Sequence, residues 1–389
     1  MIFKRKIIMK KIALLGSTGS IGRQVLQVVD RYPDQYQIIS LAAGKNAKLL
    51  SEQIQKYKPE TAALTDPENA FEIASLPQKT TLYTGENALL HCILPDADVI
   101  FVAVTGFCGF IPVIEALKMG KTVALANKES LIAGGELIEK VKKEHGGKII
   151  PVDSEHSAIW QALAFEPTRP YKRIVLTASG GALRDVPIEK LPLVTKNDAL
   201  KHPNWKMGDK ITIDCATMFN KGLEVIEAMW LYNAPLEKIE VLIHPQSIVH
   251  SLVEYADNAL IAQLSAPSME IPIQLALTYP EREYAGVAPL DLTKQLLEFF
   301  KPDLKRYPCF SLALSAAKKG GIYPCAISAA NEEAVKLFLA DKIGFCDIEK
   351  YLENALNKAT EMPVTLQNLI FTDYRARASV YALFKENKN

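Results

Sequence analysis

Residues 151–161 read PVDSEHSAIWQ and set Asp153, Glu155 and His156 within four positions, directly after the apolar run at 148–150. Carboxylates this close repel unless protons, water or a cation separates them. On a solvated surface that crowding costs little. In a binding site the same oxygens select a hard ion such as Mg²⁺ or Mn²⁺ over zinc. In an extended segment Asp153 and Glu155, two apart, share one face. His156, beside AIWQAL, reads as packed or hydrogen-bonded rather than as a nitrogen ligand. A further acid is on offer in ATMFNKGLE, where Asn220, Lys221 and Glu224 fall on one helical face near the helix start. Glu224 can complete a metal site with Asp153 and Glu155, while Lys221 and Asn220 suit a phosphate. The competing reading is a helix-surface ion pair between Lys221 and Glu224, which is worth little.

Other polar segments belong with these. Ser179 follows the strand-like RIVLTA (173–178) and precedes Gly180–Gly181, so a ligand phosphate can approach its hydroxyl and the backbone. KHPNWKMGDK (201–210) carries His202, Trp205, Met207 and Gly208 between charged residues. A tryptophan in such a Gly- and Pro-containing loop reads as a mobile lid that packs over substrate and excludes water. The alternative is a core tryptophan in an ordered turn. Near the start, GSTGSIG places Gly16, Gly19 and Gly22 between a strand and a helix of about 21–31. Glycine lets the backbone approach a pyrophosphate, and the helix start offers free N–H groups to the anion. After the next strand, where an NAD site has an acid for the ribose 2′-hydroxyl, the chain has Gly44, Lys45 and Asn46. A cation there suits a 2′-phosphate and points to NADP(H), unless Lys45 simply faces solvent. Asn127, Lys128 and Glu129 follow the run TVALA, at the end of a strand where ligands bind in open α/β sheets. They are placed near the nicotinamide, with a purely structural role as the alternative.

The elements that must position these residues follow from periodicity. KIALL (11–15), YQIISLA (36–42), DVIFVAV (98–104) and TVALA (122–126) are buried strand patterns alternating with amphipathic segments. Such alternation predicts an α/β fold with a Rossmann-like, doubly wound parallel sheet over 1–150, an NADPH-binding domain. Beyond it, RIVLTA, a strand-like KITID (210–214), a helix over 216–232, and strands IEVLIH (239–244), SIVHSLVEY (247–255) and ALIAQLS (259–265) predict a central α+β domain. It is placed at 151–278 as the catalytic domain, with the lid at 201–210. Prolines and charges across 279–307 predict a linker with a short helix, and helical patterns over 308–389 a C-terminal helical bundle.

The totals agree with a soluble enzyme. Of 389 residues, 49% are hydrophobic and 23% charged, and the net charge of +1 implies no broad basic face for nucleic acid. No apolar run approaches the roughly 18 residues of a membrane helix. The six cysteines form no CxxC pair, which predicts reduced, mostly buried thiols and a reducing compartment. The basic start MIFKRKIIMKK lacks a secretory apolar core and reads as a frayed tail, or as an early start with Met9 the true one. A cytoplasmic location follows.

Taken together, GSTGSIG, AGKN, ALANKESL, PVDSEHSAIWQ, LTASGG, HPNWKMG, ATMFNKGLEVIEA, IHPQSIVHS and AANEEAV resemble the 1-deoxy-D-xylulose 5-phosphate reductoisomerase family from about Lys11 to near the C-terminus. The resemblance implies NADPH- and metal-dependent conversion of 1-deoxy-D-xylulose 5-phosphate to 2-C-methyl-D-erythritol 4-phosphate in the non-mevalonate isoprenoid pathway. Cleavage and re-addition of the carbon skeleton on a Lewis-acid metal would precede hydride delivery. It implies pyrophosphate contacts at Thr18, Gly19, Ser20 and Ile21, and adenosine-phosphate contacts at Gly44, Lys45 and Asn46. Asn127, Glu129 and Gly208 would also meet NADPH. Asp153, Glu155 and Glu224 would hold Mg²⁺ or Mn²⁺, and Lys128 and Ser154 the substrate. Ser179, Asn220 and Lys221, with His202 close by, would hold its phosphate. Trp205 and Met207 would close the lid, and Pro267 and Met269 line the pocket. One position departs: Cys215 stands where the family pattern has serine, and a thiol is the weaker donor to a phosphate. The family is typically a homodimer. The rival readings are an NADP-dependent reductoisomerase or dehydrogenase acting on another sugar phosphate, and a dinucleotide-binding regulator with neither lid nor metal.

Overall fold

A computed structural model describes residues 9–73 and 75–388 of the chain. Most of the basic start thus lies outside the described residues, and its last two lysines already belong to the first strand. The chain divides into two compact units, one formed by 1–127, 140–153 and 269–287, the other by 128–139, 154–268 and 288–389.

The first unit opens with β1 (Lys10–Leu15), α1 (Ser20–Arg31), β2 (Tyr36–Ala43) and α2 (Ala47–Tyr57). β3 (Thr61–Leu64), β4 (Thr81–Thr84), β5 (Val99–Val102), α3 (Phe110–Lys118) and β6 (Thr122–Leu125) follow. α4 (Lys128–His145) leads to β7 (Lys148–Pro151), and the division between units falls within this helix. The seven strands form one sheet in the order β4-β3-β2-β1-β5-β6-β7, every pair parallel. The order reverses direction at β1, and that switch point is where an open α/β sheet binds ligands. β1 is fully buried from Ile12 to Leu15, as a strand covered on both faces requires. α1 turns Val25, Leu26, Val28 and Val29 into the same core and ends at Arg31, before Pro33 bars continuation.

The second unit holds α5 (Ser154–Ala162), β8 (Arg173–Ala178), α6 (Lys196–Ala199), α7 (Asp209–Ala216) and α8 (Phe219–Leu231). β9 (Ile239–Ile243), β10 (Val249–Glu254) and β11 (Leu260–Leu264) complete a mixed sheet of order β11-β10-β8-β9, in which β8 and β9 run parallel and β10 antiparallel to both neighbours. α5 lies against this sheet. α9 (Glu270–Thr278) belongs to the first unit, where Ile273, Ala276 and Leu277 join the core. α10 (Pro308–Lys319), α11 (Tyr323–Leu339), α12 (Asp347–Lys358) and α13 (Leu366–Glu386) make the predicted helical bundle.

Four expectations are corrected. KITID is not a strand: 209–216 is helical, with Lys210 and Asp214 paired one turn apart. The helix read over 216–232 starts later, at Phe219, because Met218 takes a left-handed conformation (φ 58°) between α7 and α8. The segment 151–161 is not extended, since α5 begins at Ser154. The boundaries at 150, 278 and 307 are not those of the compact units. Residues 269–287 return to the first unit, and α10–α12 share one apolar core with α7 and α8 through Phe219, Leu223, Ala313, Ile327 and Leu352.

Candidate active site

In the first unit, the loop after β1 is built by its glycines. A Cβ at Gly22 would stand 2.1 Å from the Gly16 carbonyl oxygen, so only glycine lets α1 begin this close to the strand end. Gly16 and Ser17 both donate backbone N–H bonds of 2.8 Å to the Ala42 oxygen, which ties the loop to β2. Gly19 precedes α1 without a side chain to cap it, so the N–H groups at Ser20 and Ile21 stay available to an anion. Sequence reasoning missed the brace of this loop. The buried Ser17 hydroxyl donates to Gln53 Oε1 (2.6 Å), and Gln53 Nε2 donates back to the Ser17 carbonyl (3.1 Å). No local pattern marks Gln53, which lies 36 positions away. Gly44, Lys45 and Asn46 are exposed at the end of β2, next to this loop, and no carboxylate stands among them. Asn46 Oδ1 caps α2 by accepting from Leu49 N–H (3.1 Å). Asn127 is buried and donates through Nδ2 to the carbonyls of Val104 (3.1 Å) and Gly106 (3.0 Å), holding the loop after β5 in place. Met269 packs on this unit's core, while Pro267 is exposed.

The acids converge. Asp153, in the residue before α5, Glu155 in its first turn and Glu224 on α8 offer carboxylate oxygens within 4.8 Å of one another, the one such cluster among the described residues. The start of a helix, rather than an extended strand, brings Asp153 and Glu155 together. Glu224 is 1% exposed and Lys221 4%, so theirs is no surface pair. Lys221 Nζ reaches Glu155 (2.8 Å) and also bonds Glu224, while Lys128 Nζ reaches Asn220 Oδ1 (2.9 Å) and Glu224 (3.3 Å). The Asn220 amide donates to Glu224, and the Ser154 hydroxyl to Glu155. Three carboxylates thus face two ammonium groups and keep a net negative charge when all are ionised. An all-oxygen donor set of that charge fits a hard divalent cation. Burial tends to lower the pKa of Lys221, but Glu155 and Glu224 outweigh it and hold the ammonium above its usual range. His156 is fully buried with Nε2 3.1 Å from Glu227, packed as expected and outside the acid cluster.

The turn after β8 forms a second focus. Ser179 Oγ lies 2.9 Å from His202 Nε2 and accepts from Gly181 N–H (3.1 Å). His202 Nδ1 accepts the backbone N–H groups of Asn204 (3.2 Å) and Trp205 (3.0 Å). Nδ1 is therefore the acceptor nitrogen, Nε2–H donates to Ser179, and the Ser179 hydroxyl proton is left to donate to a ligand. Burial lowers the His202 pKa, in keeping with this neutral tautomer. The turn is clamped by residues without a local signal: Tyr307 hydroxyl donates to the Gly180 carbonyl (3.0 Å) and Arg184 to that of Ser179 (3.0 Å). At Gly181 (φ 72°) a Cβ would stand 2.4 Å from the Cys215 carbonyl oxygen, so this turn presses on the end of α7. Cys215 is half-buried there, and burial pushes its thiol up to about 12. It remains a protonated, weak donor.

The loop 201–208 has no regular structure. Trp205 is half-buried, edge-on to the His250 ring at 6.1 Å, and Asn204 Nδ2 donates to the Pro245 carbonyl (2.6 Å) and Ser247 Oγ (2.8 Å). His250 was missed as a site residue. It lies near the start of β10, buried beside Trp205 with Glu155 and Lys221 near enough to act on its charge, and burial lowers its pKa. Met207 is half-buried, and Gly208 is exposed at the start of α7. Glu129, in the first turn of α4, has Lys210 at 3.5 Å.

Family models match three stretches: one described as 1-deoxy-D-xylulose 5-phosphate reductoisomerase over residues 12–135, and two described as its C-terminal domains over 149–232 and 264–379. The 1-deoxy-D-xylulose 5-phosphate reductoisomerase of Thermosynechococcus vestitus is 47% identical over 385 residues, 97% of this chain and 93% of that one. The relative of the same name from Pelotomaculum thermopropionicum is 48% identical over 90% of this chain and 92% of its own. Among solved structures, the Zymomonas mobilis reductoisomerase in complex with NADPH has a TM-score of 0.89 at 39% identity, covering 97% of this chain and 99% of its own. A DOX-P reductoisomerase in complex with NADPH, fosmidomycin and magnesium has a TM-score of 0.93 at 36% identity, covering 98% and 100%.

Proposed function

The chain belongs to the 1-deoxy-D-xylulose 5-phosphate reductoisomerase family, and we propose that the acid cluster around Glu224 and the turn at Ser179 are the two halves of that enzyme's substrate site. The activity is the NADPH- and divalent-metal-dependent rearrangement and reduction of 1-deoxy-D-xylulose 5-phosphate to 2-C-methyl-D-erythritol 4-phosphate. The observation that carries the reading is the meeting of Asp153, Glu155 and Glu224 within 4.8 Å, braced by Lys128 and Lys221. These three acids hold Mg²⁺ or Mn²⁺, which when bound supplies Lewis acidity toward the ketone and hydroxyl oxygens of the sugar.

The chain's own residues do the rest. Lys128 and Ser154 position the substrate beside the acids. The Ser179 hydroxyl, oriented by the hydrogen bonds it accepts from Gly181 and His202, donates to the substrate phosphate together with Asn220 and Lys221. That phosphate is remote from the reacting carbons, so its binding energy serves to orient the substrate and close the loop. Trp205 and Met207 cover the substrate and exclude water. NADPH lies along the loop from Gly16 to Ile21, with its 2′-phosphate at Gly44–Asn46 and further contacts from Asn127, Glu129 and Gly208. Pro267 and Met269 border the pocket.

The protein acts as a cytoplasmic homodimer. Leu260 and Ile261 on the edge strand β11 are half-exposed, as are Leu296, Phe299 and Phe300 in the segment before α10, an apolar set that a second copy would cover. No helix among the described residues is long and apolar enough to cross a membrane. The activity is tested by supplying 1-deoxy-D-xylulose 5-phosphate, NADPH and Mg²⁺ and identifying the product by NMR. Appearance of 2-C-methyl-D-erythritol 4-phosphate supports the reading. NADPH oxidation only with another sugar phosphate would replace the substrate.

A further inference from the structure

Beyond the residues that meet substrate, the structure assigns a positioning role to Lys210: its ammonium links the end of the 201–208 loop to Glu129, so that NADPH binding and ordering of the loop reinforce each other. The proposal rests on the reading of Glu129 as a cofactor contact.

Lys210 stands in the first turn of α7, two residues past Gly208, with its side chain 32% exposed. Its Nζ lies 2.7 Å from Asp214 Oδ2 and 3.5 Å from Glu129 Oε1. The two carboxylates differ in how they are held. Asp214 is 1% exposed, and its other oxygen accepts from Asn331 Nδ2 on α11 at 2.8 Å. The next residue on α11, Glu332, pairs with Arg377 (2.9 Å), and Arg377 grips Asp373 through two bonds of 2.8 and 2.9 Å and Glu333 at 2.7 Å. Lys210 is thus anchored on one side to a chain of charge-assisted bonds running into the helical bundle. On the other side its contact with Glu129 is at the outer limit of hydrogen bonding, where a small movement forms or breaks it. Burial alone tends to lower the Lys210 pKa, but Asp214, Glu129 and Glu332 outweigh it and raise it, so the bridging group remains an ammonium.

Anchoring α7 requires only Asp214. The reach to Glu129, next in sequence to Lys128, adds a connection between the loop and the first turn of α4. If the cofactor fixes Glu129, it strengthens the Lys210 contact and holds the end of the loop; a held loop in turn favours the bound cofactor, since such coupling is reciprocal.

The test uses the full-length protein and three substitutions, Lys210→Met, Lys210→Arg and Glu129→Gln. KM for NADPH, kcat and the thermal midpoint are measured, with tryptic cleavage after the exposed Lys206 followed by mass spectrometry with and without NADPH. NADPH is expected to slow cleavage in the parent protein. Lys210→Met is expected to raise KM for NADPH about tenfold, more than it lowers kcat, and to abolish the protection. Lys210→Arg, which keeps the cation, is expected to recover most of both. Parent-like KM and protection in Lys210→Met, while Glu129→Gln raises KM, would overturn the role of Lys210 and leave Glu129 standing. An unchanged KM in Glu129→Gln would overturn the cofactor reading of Glu129 and the link with it. Should Lys210→Met not fold, Lys210→Gln replaces it, and a KM that tracks the thermal midpoint instead of the charge overturns the proposal.

Discussion

Glu224 is the most constrained of the three acids: 1% exposed, it takes bonds from Lys128, Lys221 and Asn220 while facing Asp153 and Glu155. Glu224→Gln keeps the shape and removes the charge. The loss of a metal ligand is expected to lower kcat/KM by on the order of 10³-fold, with a matching loss of Mn²⁺ affinity read by electron paramagnetic resonance. Cys215 offers a test in the other direction. A serine hydroxyl is the stronger donor and the smaller group, so Cys215→Ser is expected to lower the substrate KM by a few-fold, about 1 kcal/mol for one hydrogen bond. An unchanged KM would show that the thiol stands outside the phosphate site. At this scale the sequence was informative wherever chemistry needs adjacent residues, as in DSE or NKGLE. It was silent on Gln53, Tyr307 and His250, whose roles arise from contacts across long separations in sequence.

Among the elements, the βα turn at Gly16–Gly22 and the helix α7 show the two ways that local pattern meets tertiary structure. The turn was legible because its glycines are demanded by backbone contact: a Cβ at Gly22 has no room beside Gly16. Gly22→Ala is therefore expected to destabilise the first unit by about 1–3 kcal/mol and to raise KM for NADPH, both measurable by denaturation and steady-state kinetics. α7 was misread because KITID alternates like a strand. The Lys210–Asp214 bond at i, i+4 and the bond from Asp214 to Asn331 favour the helix over the period-two pattern. β3 and β4 were missed because TAAL has alanines where β5 has Val and Ile, and TLYT is only partly buried. The early start of α5 was missed because Asp153 and Glu155, two apart, also fit one face of a continuing strand.

Across the whole molecule, the compact units are not contiguous in sequence. The return of α9 to the first unit leaves no composition signal, which is why boundaries drawn from pattern alone at 150, 278 and 307 differ from those of the packed structure. In the second unit the pKa values of His202, His244 and His250 are each lowered, first by burial, from the ordinary 6.5. Their folded forms stay neutral where the unfolded chain takes up protons. The stability they contribute is therefore complete above about pH 6.5 and is lost as pH falls below it, toward the lower folded values. The expected slope is about 1.4 kcal/mol per pH unit for each proton taken up on unfolding. Denaturant titrations between pH 7.5 and 5 would check this, and a flat profile there would contradict the neutral assignment of His202.

The acid cluster and the reductive rearrangement stand or fall together in one measurement. Purified protein is given 1-deoxy-D-xylulose 5-phosphate and NADPH with Mg²⁺, then with excess EDTA, then with Mg²⁺ restored, while absorbance of NADPH is followed. Turnover is expected that EDTA abolishes and Mg²⁺ restores, with no restoration in Glu224→Gln. Turnover that persists in EDTA would contradict the assignment of Asp153, Glu155 and Glu224 as metal ligands.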